Sequence, residues 1–183
     1  MEQKKFTFFW GGIFSNFHKK NFVVDGKTFN CNEQWMMTCK AKLFKDNESE
    51  EKIRRLSEPK EQKKAGRNVK NFNKIKWDEL AKEAVYVGAF HKFSQNKELR
   101  EALNKSEGEL VEASPFDKIW GIGLDAKDPL SQNKATWRGT NWLGEVLTEL
   151  RDDLKKGVAQ EKANQRLNNF KKEIKKEEWT RLI

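Results

Sequence analysis

The chain has 183 residues and is only 36% hydrophobic, but its 7 Trp and 13 Phe supply enough apolar area for one folded domain, which argues against a disordered chain. Its net charge of +9 favours anionic partners such as nucleic acid, nucleotides or phosphosugars, although a solvated basic surface would give the same value. No apolar run approaches the roughly 20 residues of a membrane helix, and no signal-peptide core follows the N-terminus, so we expect a soluble, cytoplasmic protein without membrane partners.

The N-terminal part of the chain has the pattern of a small antiparallel sheet. Residues 6–30 alternate aromatic and β-branched residues with turn residues. Within this stretch, Asp25-Gly26 lies between two short apolar runs, which is a strong hairpin signal. The sequence therefore predicts short strands before the first helix.

From Asn32 onward the pattern is mainly helical, and Asn32 is a candidate N-cap. Apolar residues at 77, 80, 84, 87 and 90 have the spacing of an amphipathic helix with one buried stripe. We read Gly66 as the stop signal of an earlier short helix. Helices are predicted over residues 33–44, 49–57, 58–66, 77–95, 96–106 and 141–156, with a short strand over residues 108–114.

The segment after Gly157 has the pattern of a basic amphipathic helix. Leu167, Phe170 and Ile174 are spaced at i, i+3 and i+7, and Lys155 to Ile183 contain nine basic and four acidic residues. We expect this helix to pack on the domain, with a partner-binding arm as the alternative. The overall prediction is a mainly helical α+β fold, a compact single domain over residues 1–155 with a small antiparallel sheet, followed by the helix of residues 156–183.

A metal site is poorly supported by the ligand-type residues. The cysteines, Cys31 and Cys39, do not form a CxxC pair, and the histidines are limited to His18 and His91. We therefore expect a reduced protein without a metal ion.

The helix that begins near residue 33 carries two groups of opposite charge. Glu33 falls in its first turn, where the positive end of the helix dipole favours a carboxylate. Lys40 is seven residues further along and lies on nearly the same face, with Met36 and Met37 between them. Such a pair can hold a polar ligand above an apolar floor. A dipole-stabilising Glu and an exposed Lys are the commoner outcome, and spacing alone favours that interpretation.

The stretch "SPFDKIWGIGL" combines a carboxylate, a large aromatic side chain and two glycines. In one interpretation Ser114 caps a helical turn, Asp117 returns a hydrogen bond to the cap, and Trp120 belongs to the core. In the other, Gly121 and Gly123 let the backbone approach a ligand that stacks on Trp120.

Three further polar residues have two interpretations each. Arg67 follows a glycine, where its guanidinium could bind a phosphate through two hydrogen bonds or simply face solvent. Asn141 either caps the helix that follows it or meets a ligand at that helix N-terminus. Lys92 near a helix end is interpreted as a charge partner for the helix C-terminus.

Seven stretches of this chain, in the same order along it, resemble the NADAR family, also called YbiA-like. They are FSNF at 14–17, VDGKTF at 24–29, NEQWMMTCKAKLF at 32–44, GRNVKNF at 66–72, KFSQNKELREAL at 92–103, LVEASPFDKIWGIGL at 110–124 and GTNWLGEVLTELRDDL at 139–154. Each stretch alone is weak, but seven in order make a specific match that runs from residue 9 to residue 154.

The resemblance implies an N-glycosidase that cleaves a base from a ribose carrying a phosphate or an ADP group. The substrates of its relatives fall into two sets: ADP-ribose attached to guanine in nucleic acid, and phosphoribosylamino pyrimidine intermediates of riboflavin biosynthesis. The family has a compact, largely helical α+β fold, and no metal or redox cofactor is expected. The implied partners are an ADP-ribose or phosphoribosyl nucleotide substrate and ADP-ribosylated DNA.

The family motifs also imply roles for residues of this chain. N-glycoside cleavage passes through an oxocarbenium-like state, so it needs a negative charge near the sugar. Glu33 or Asp117 would stabilise that state or position water, and Lys40 would act as a general acid or as an amine that forms a Schiff base with the sugar. Trp120 would stack on the base, Arg67 would bind phosphate and Asn141 would orient the ribose. The complete set of implied substrate contacts is Asn16, Phe17, Arg67, Trp120, Gly121, Gly123 and Asn141.

Two features favour an ADP-ribosylated guanine or another NAD-derived substrate over the riboflavin intermediates. The sequence has "EQW" where the riboflavin-type relatives have "EH" followed by an aromatic residue. The charge of +9 also suits polyphosphates and nucleic acid. The alternative from a different class is a non-catalytic module that binds ADP-ribose or nucleic acid, in which aromatic side chains stack on bases.

Overall fold

The computed structural model describes residues 5–180, so residues 1–4 and the last three residues of the predicted C-terminal helix segment lie outside it. Four strands are present in this part of the chain: β1 (Phe6–Phe9), β2 (Phe22–Val24), β3 (Lys27–Phe29) and β4 (Glu109–Glu112). The helices are α1 (Asn32–Leu43), α2 (Asn47–Arg55), α3 (Pro59–Arg67), α4 (Lys74–Ser94), α5 (Lys97–Lys105), α6 (Trp142–Lys156) and α7 (Ala159–Thr180). The predicted class, a mainly helical α+β domain, is confirmed.

The strands form two separate two-stranded sheets. β2 and β3 pair antiparallel around Asp25 and Gly26, which both have positive φ as a two-residue hairpin turn requires. The predicted hairpin is therefore confirmed. β1, which we had grouped with it, instead pairs in parallel with β4, where Phe6 packs in a small core that includes Val111 and Ile122. Periodicity indicates a strand but does not specify its partner.

Helix α4 is the centre of the domain. It packs against α1, α6 and α7 as well as against α5 and β2. Consecutive residues from Ala84 to Phe90 are consequently buried. The expectation of one buried stripe is therefore wrong, because helices cover α4 on several sides and a helix in that position is apolar around most of its circumference.

The ends of the first and third helices differ from the sequence prediction. Cys31, not Asn32, is the N-cap of α1, and its Sγ accepts a hydrogen bond from the Gln34 amide. Gly66 does not stop α3. It lies within that helix, where an added Cβ would come within 1.9 Å of Met37 Sδ, so the glycine permits close contact between α3 and α1.

Helix α7 packs against α4, α1 and α6. Phe170 is buried in the main core, and Leu167 and Ile174 pack against that core while partly buried. A polar network supports the same contact: Tyr86 Oη donates to Asp153 Oδ2 at 2.9 Å, and Lys162 Nζ lies 2.8 Å from Asp153 Oδ1. Among the helices in the described ranges, none has the length and apolar composition of a membrane span.

Candidate functional site

A cleft of about 530 Å³ opens between α1, α3, the start of α4 and the loop that follows β4. Met36 and Met37 form part of its apolar lining. Ile119 and five aromatic residues complete that lining: Phe72, Trp77, Phe116, Trp120 and Trp142. The charged groups along the cleft are Glu33, Lys40, Lys63, Arg67, Lys74, Asp78, Asp117 and Lys118. The cleft thus combines flat apolar walls with charges of both signs.

Five of the ten predicted site residues line this cleft. They are Glu33, Lys40, Arg67, Asp117 and Trp120. They come from α1, from the end of α3 and from the loop after β4, so the fold brings together residues that are far apart in the sequence.

Glu33 is the most deeply buried charged residue of the cleft, with 2% of its surface exposed. Its amide donates to the Asn16 carbonyl at 2.9 Å, and its side-chain Oε1 has no hydrogen-bond partner among the described residues. Burial raises the pKa of Glu33 to about 7, with smaller upward contributions from Asp117 and Glu112 and opposing ones from Lys63 and Arg67. A carboxyl group with this pKa can take up or release a proton near neutral pH.

Asp117 lies in a tight turn rather than in the predicted helical turn. Its Oδ1 accepts hydrogen bonds from the amides of Ile119, at 3.0 Å, and Trp120, at 2.8 Å. Ser114 Oγ in turn accepts from the Asp117 amide, so the two side chains hold successive parts of one loop. Asp117 Oδ2 lies 3.5 Å from Lys63 Nζ. The Asp117 carboxylate therefore shapes the turn through the amides that follow it, and the residue also lines the cleft.

Glu112 and Lys63 belong to the same electrostatic cluster and were not predicted. Burial raises the pKa of Glu112 to about 7, Asp117 raises it further, and Lys63 opposes the shift. Glu112 Oε2 is buried without a hydrogen-bond partner among the described residues. The available signal was a carboxylate at the end of a short strand, directly before the loop that carries Asp117. Lys63 was hidden in a generally basic helix.

Lys40 is 8% exposed, and its Nζ lies 4.0 Å from the centre of the Phe72 ring. Burial lowers the pKa of Lys40, Arg67 lowers it further, and Glu33 acts in the opposite direction. A lowered pKa increases the fraction of the neutral amine, the form that attacks a carbonyl carbon.

Trp120 and Trp142 form an aromatic corner of the cleft. Their ring centres are 5.7 Å apart and their planes are nearly perpendicular, at 83°. One indole can therefore offer its face to a planar ligand while the other borders the edge of that ligand. Trp142, the first residue of α6, was not predicted as a site residue, because its position in a helical pattern indicated only the start of that helix.

Asn141 and the two glycines lie outside the cleft lining. Asn141 is fully buried; its side chain accepts from the Glu112 amide at 2.9 Å and donates to the Leu110 carbonyl at 3.0 Å. An added Cβ at Gly121 would be 2.8 Å from the Glu112 carbonyl oxygen, and Gly123 has a φ of +67°. These residues fit the loop against β4, and the geometry gives no support to a ribose contact by Asn141 or a ligand approach at the glycines.

Asn16 and Phe17 lie behind Glu33 rather than in the cleft lining. Asn16 is buried, and its Oδ1 accepts from the Asn32 side chain at 2.8 Å. Their loop is held by Lys92, whose Nζ donates to the Ser15 carbonyl at 2.9 Å and to the Ile13 carbonyl. Lys92 is fully buried, and burial lowers its pKa to about 7. Its interpretation as a charge partner for a helix end is therefore wrong.

Comparisons with known proteins agree with this fold. A NADAR domain model matches residues 8–155. The chain is 39% identical to Protein irg-1 of Caenorhabditis elegans, over 78% of this chain and 75% of that protein. It is 39% identical to N-glycosidase R617 of Acanthamoeba polyphaga mimivirus, over 84% of this chain and 98% of that protein. It is 33% identical to N-glycosidase YbiA of Escherichia coli, over 78% and 81%.

One solved structure is similar along most of the chain. The NMR structure of Escherichia coli YbiA superposes with a TM-score of 0.69 at 29% sequence identity, covering 85% of this chain and 88% of that one. The matched portion of the described residues therefore shares the fold of that protein.

Proposed function

This chain belongs to the NADAR domain family, and from that premise we propose that it is an N-glycosidase that removes ADP-ribose from guanine in nucleic acid or from an NAD-derived nucleotide. The class of reaction, hydrolysis of an N-glycosyl bond, follows from the relatives named N-glycosidase. The observation that carries the proposal is that Glu33 and Asp117 share one cleft with Arg67.

The charges of the cleft support a substrate with more than one phosphate. Five cations and three carboxylates line it, and Glu33 is partly protonated near neutral pH because of its raised pKa. Arg67 is exposed at the end of α3, where its guanidinium can bind a phosphate through two parallel hydrogen bonds. A pyrophosphate uses more of these cations than the single phosphate of a phosphoribosyl intermediate.

The reaction assigns separate tasks to the two acids. As the C1′–N bond breaks, its electron pair passes to the base nitrogen, and Asp117 stabilises the positive charge that develops on the sugar. Glu33 takes a proton from the water that attacks C1′, or donates one to the departing base. Trp120 stacks on the base. Lys40 has two available roles: in its protonated form it donates a proton, and in its neutral form it attacks the sugar as a Schiff-base nucleophile.

The test is cleavage of the N-glycosyl bond in two substrate sets, measured by chromatography. We expect wild type to release ADP-ribose from ADP-ribosylated guanine DNA, leaving unmodified guanine in the strand, and to form little product from phosphoribosylamino pyrimidines. Glu33→Gln should reduce kcat by about 100-fold or more, the usual worth of a positioned acid or base. Exposed Glu79→Gln, on the outer part of α4, is the matched control.

Release from the pyrimidines alone would replace our substrate with the riboflavin-type alternative. If folded wild-type protein forms no product from either substrate set, the N-glycosidase proposal fails and the non-catalytic binding module becomes the explanation. If Lys40 forms a Schiff base with the sugar, borohydride added during turnover should trap a covalent adduct on Lys40. If no adduct forms but Lys40→Ala is inactive, Lys40 acts in proton transfer or charge stabilisation.

A further inference from the structure

Two aromatic side chains are exposed together at the mouth of the cleft. Phe116 is 84% exposed and lines the cleft, whereas Trp10 is 58% exposed and lies outside the cleft lining. Their ring centres are 5.8 Å apart, with an interplanar angle of 49°. Most other Phe and Trp side chains of the described residues are buried or partly buried, so this pair leaves an unusual amount of aromatic surface in contact with water.

Trp10 and Phe116 lie in the loops that follow β1 and β4, at the same end of the sheet. β1 and β4 run parallel, and the Ala113 amide donates to the Phe9 carbonyl at 2.8 Å, so the loops after the two strands leave the sheet side by side. Trp10 is followed by Gly11 and Gly12, which both have positive φ and would have no neighbour within 4 Å of an added Cβ. The loop therefore projects into solvent, and core packing does not account for the position of the indole.

Two exposed cations, Lys118 and Arg67, line the same cleft as Phe116. Lys118 is exposed two residues after Phe116 and lines the cleft. Arg67 lies at the end of α3, and Lys60 and Lys64 are exposed on that helix. In the part of the chain that the structure describes, neither Lys118 nor Arg67 takes part in an ion pair. Their charges are consequently available to phosphate groups.

We propose that Trp10 and Phe116 form a flanking-base subsite, which stacks the base next to the modified nucleotide when the substrate is part of a single strand of nucleic acid. This proposal rests on the N-glycosidase function proposed above. Aromatic faces and unpaired cations match the alternation of bases and phosphates, and stacking tolerates any base because every base has a π-face. A duplex presents base edges instead of faces, so the subsite selects single strands.

The test compares four substrates that carry the same ADP-ribosylated guanine. They are the mononucleoside, a single-stranded oligonucleotide with bases on both sides, and the same oligonucleotide with an abasic site on one side, placed 5′ in one version and 3′ in another. Wild type should show kcat/KM about ten-fold higher for the intact oligonucleotide than for one of the abasic versions, because one stacked base is worth about that factor.

The protein variants complete a double-mutant cycle with the abasic site. Trp10→Ala should lower the ratio of kcat/KM for the intact oligonucleotide to kcat/KM for the mononucleoside about ten-fold. For this variant the abasic site should lower kcat/KM little further, because the substitution and the abasic site remove the same contact. Trp10→Phe should restore most of the ratio. Val23→Ala, which alters an exposed apolar residue on the β2–β3 hairpin away from the cleft, should leave the ratio at its wild-type value.

The outcomes separate the two proposals. Suppose that wild type turns over both the mononucleoside and the oligonucleotide. If neither abasic site then changes kcat/KM, or if the effects of Trp10→Ala and the abasic site are additive, the subsite is refuted and the N-glycosidase function stands. If wild type releases no base from any substrate, the proposed function fails. The subsite is then judged by fluorescence anisotropy with unmodified single-stranded oligonucleotides, where an intact strand must bind about ten-fold more tightly than the abasic one.

Discussion

Glu33 is a carboxyl group whose environment opposes its own ionisation. It is buried in the first turn of α1, Glu112 and Asp117 are close enough to raise its pKa, and its Oε1 has no hydrogen-bond partner among the described residues. Lys63 and Arg67 only partly offset these effects. Such a residue destabilises the folded state when it is charged, and the same raised pKa suits it to the proton transfer that the proposed reaction needs.

Glu33→Gln should therefore stabilise the protein at high pH. The pKa of Glu33 is raised from 4.5 to about 7, so the folded state holds a proton that the unfolded state loses, and stability falls as pH rises between these values. Above pH 7 the full cost applies, and the variant should gain about 2–3 kcal/mol in unfolding free energy, with little gain at pH 4. Urea denaturation at pH 4 and pH 8 measures this difference, with Glu79→Gln as the exposed control; an equal effect at both pH values would contradict the prediction.

Substitutions at Asn141 and Arg67 should change different properties: stability at Asn141 and substrate binding at Arg67. Asn141→Ala removes two buried hydrogen bonds to β4 at a position with a φ of 56°, so it should lower the unfolding free energy by about 2–4 kcal/mol. Arg67→Ala removes an exposed side chain and should raise KM at least ten-fold while changing stability by less than about 0.5 kcal/mol. Thermal unfolding and steady-state kinetics of the two variants measure both quantities. A destabilised Arg67→Ala protein would show that this residue is structural.

At the scale of elements, close helix contacts at glycines bring the walls of the cleft together. Gly66 lets α3 approach α1 at Met37, and Gly88 lets α4 approach α1 at Asn32 and Trp35. Helix α1 carries Glu33 and Lys40 between these neighbours, so its position determines where both groups face the cleft. The sequence pattern alone presented Gly66 as a helix stop because it does not reveal which helix lies opposite.

Gly66→Ala should destabilise the protein by about 1–3 kcal/mol, since the new methyl group overlaps the Met37 side chain. Adding Met37→Ala to this variant should cost less than Met37→Ala costs in wild type, because the second change opens the space that the first one needs. Chemical denaturation of the two single variants and the double variant gives the coupling. Additive free energies would show that the two helices adjust without this contact.

At the scale of the whole molecule, the net charge is +9, and many cations are paired with carboxylates at the surface, whereas Arg67 and Lys118 beside the cleft are in no ion pair among the described residues. Charges in this location increase the rate at which an anionic substrate arrives, and they make binding sensitive to salt. This placement, more than the total charge, connects the basic composition with the proposed substrate.

Salt should weaken the binding of an oligonucleotide more steeply than that of a mononucleoside substrate. Each phosphate neutralised on a single strand contributes about 0.7 to the slope of log K against log salt concentration. If Lys118 binds one strand phosphate while Arg67 binds the pyrophosphate that both substrates carry, the slope for an ADP-ribosylated oligonucleotide should exceed that for the mononucleoside by about 0.7. Measuring KM at several salt concentrations between about 50 and 200 mM tests this difference. Equal slopes would mean that the protein contacts no phosphate of the flanking strand.

The sequence predicted the helices and the hairpin better than it predicted which distant residues meet in the fold. The helices followed from apolar spacing, and the hairpin followed from Asp25-Gly26, because both patterns are local. The pairing of β1 with β4 and the cluster of Glu112 with Lys63 depend on residues that meet only after folding, so no local pattern reveals them. For the same reason the sequence did not reveal that the Asn141 side chain is buried and hydrogen-bonded to β4.

The parallel pairing of β1 with β4 has a consequence for the order in which the protein is synthesised. β1 leaves the ribosome first, but its partner strand follows about 100 residues later, which at roughly 5–20 residues per second means a delay of about 5–20 s. During that interval the aromatic N-terminal segment has an unpaired edge, and the loop that carries Asp117 does not yet exist. Helices α1 to α5 can form while the chain is still growing, whereas the cleft is completed only when synthesis passes β4 and β4 pairs with the earlier strand β1.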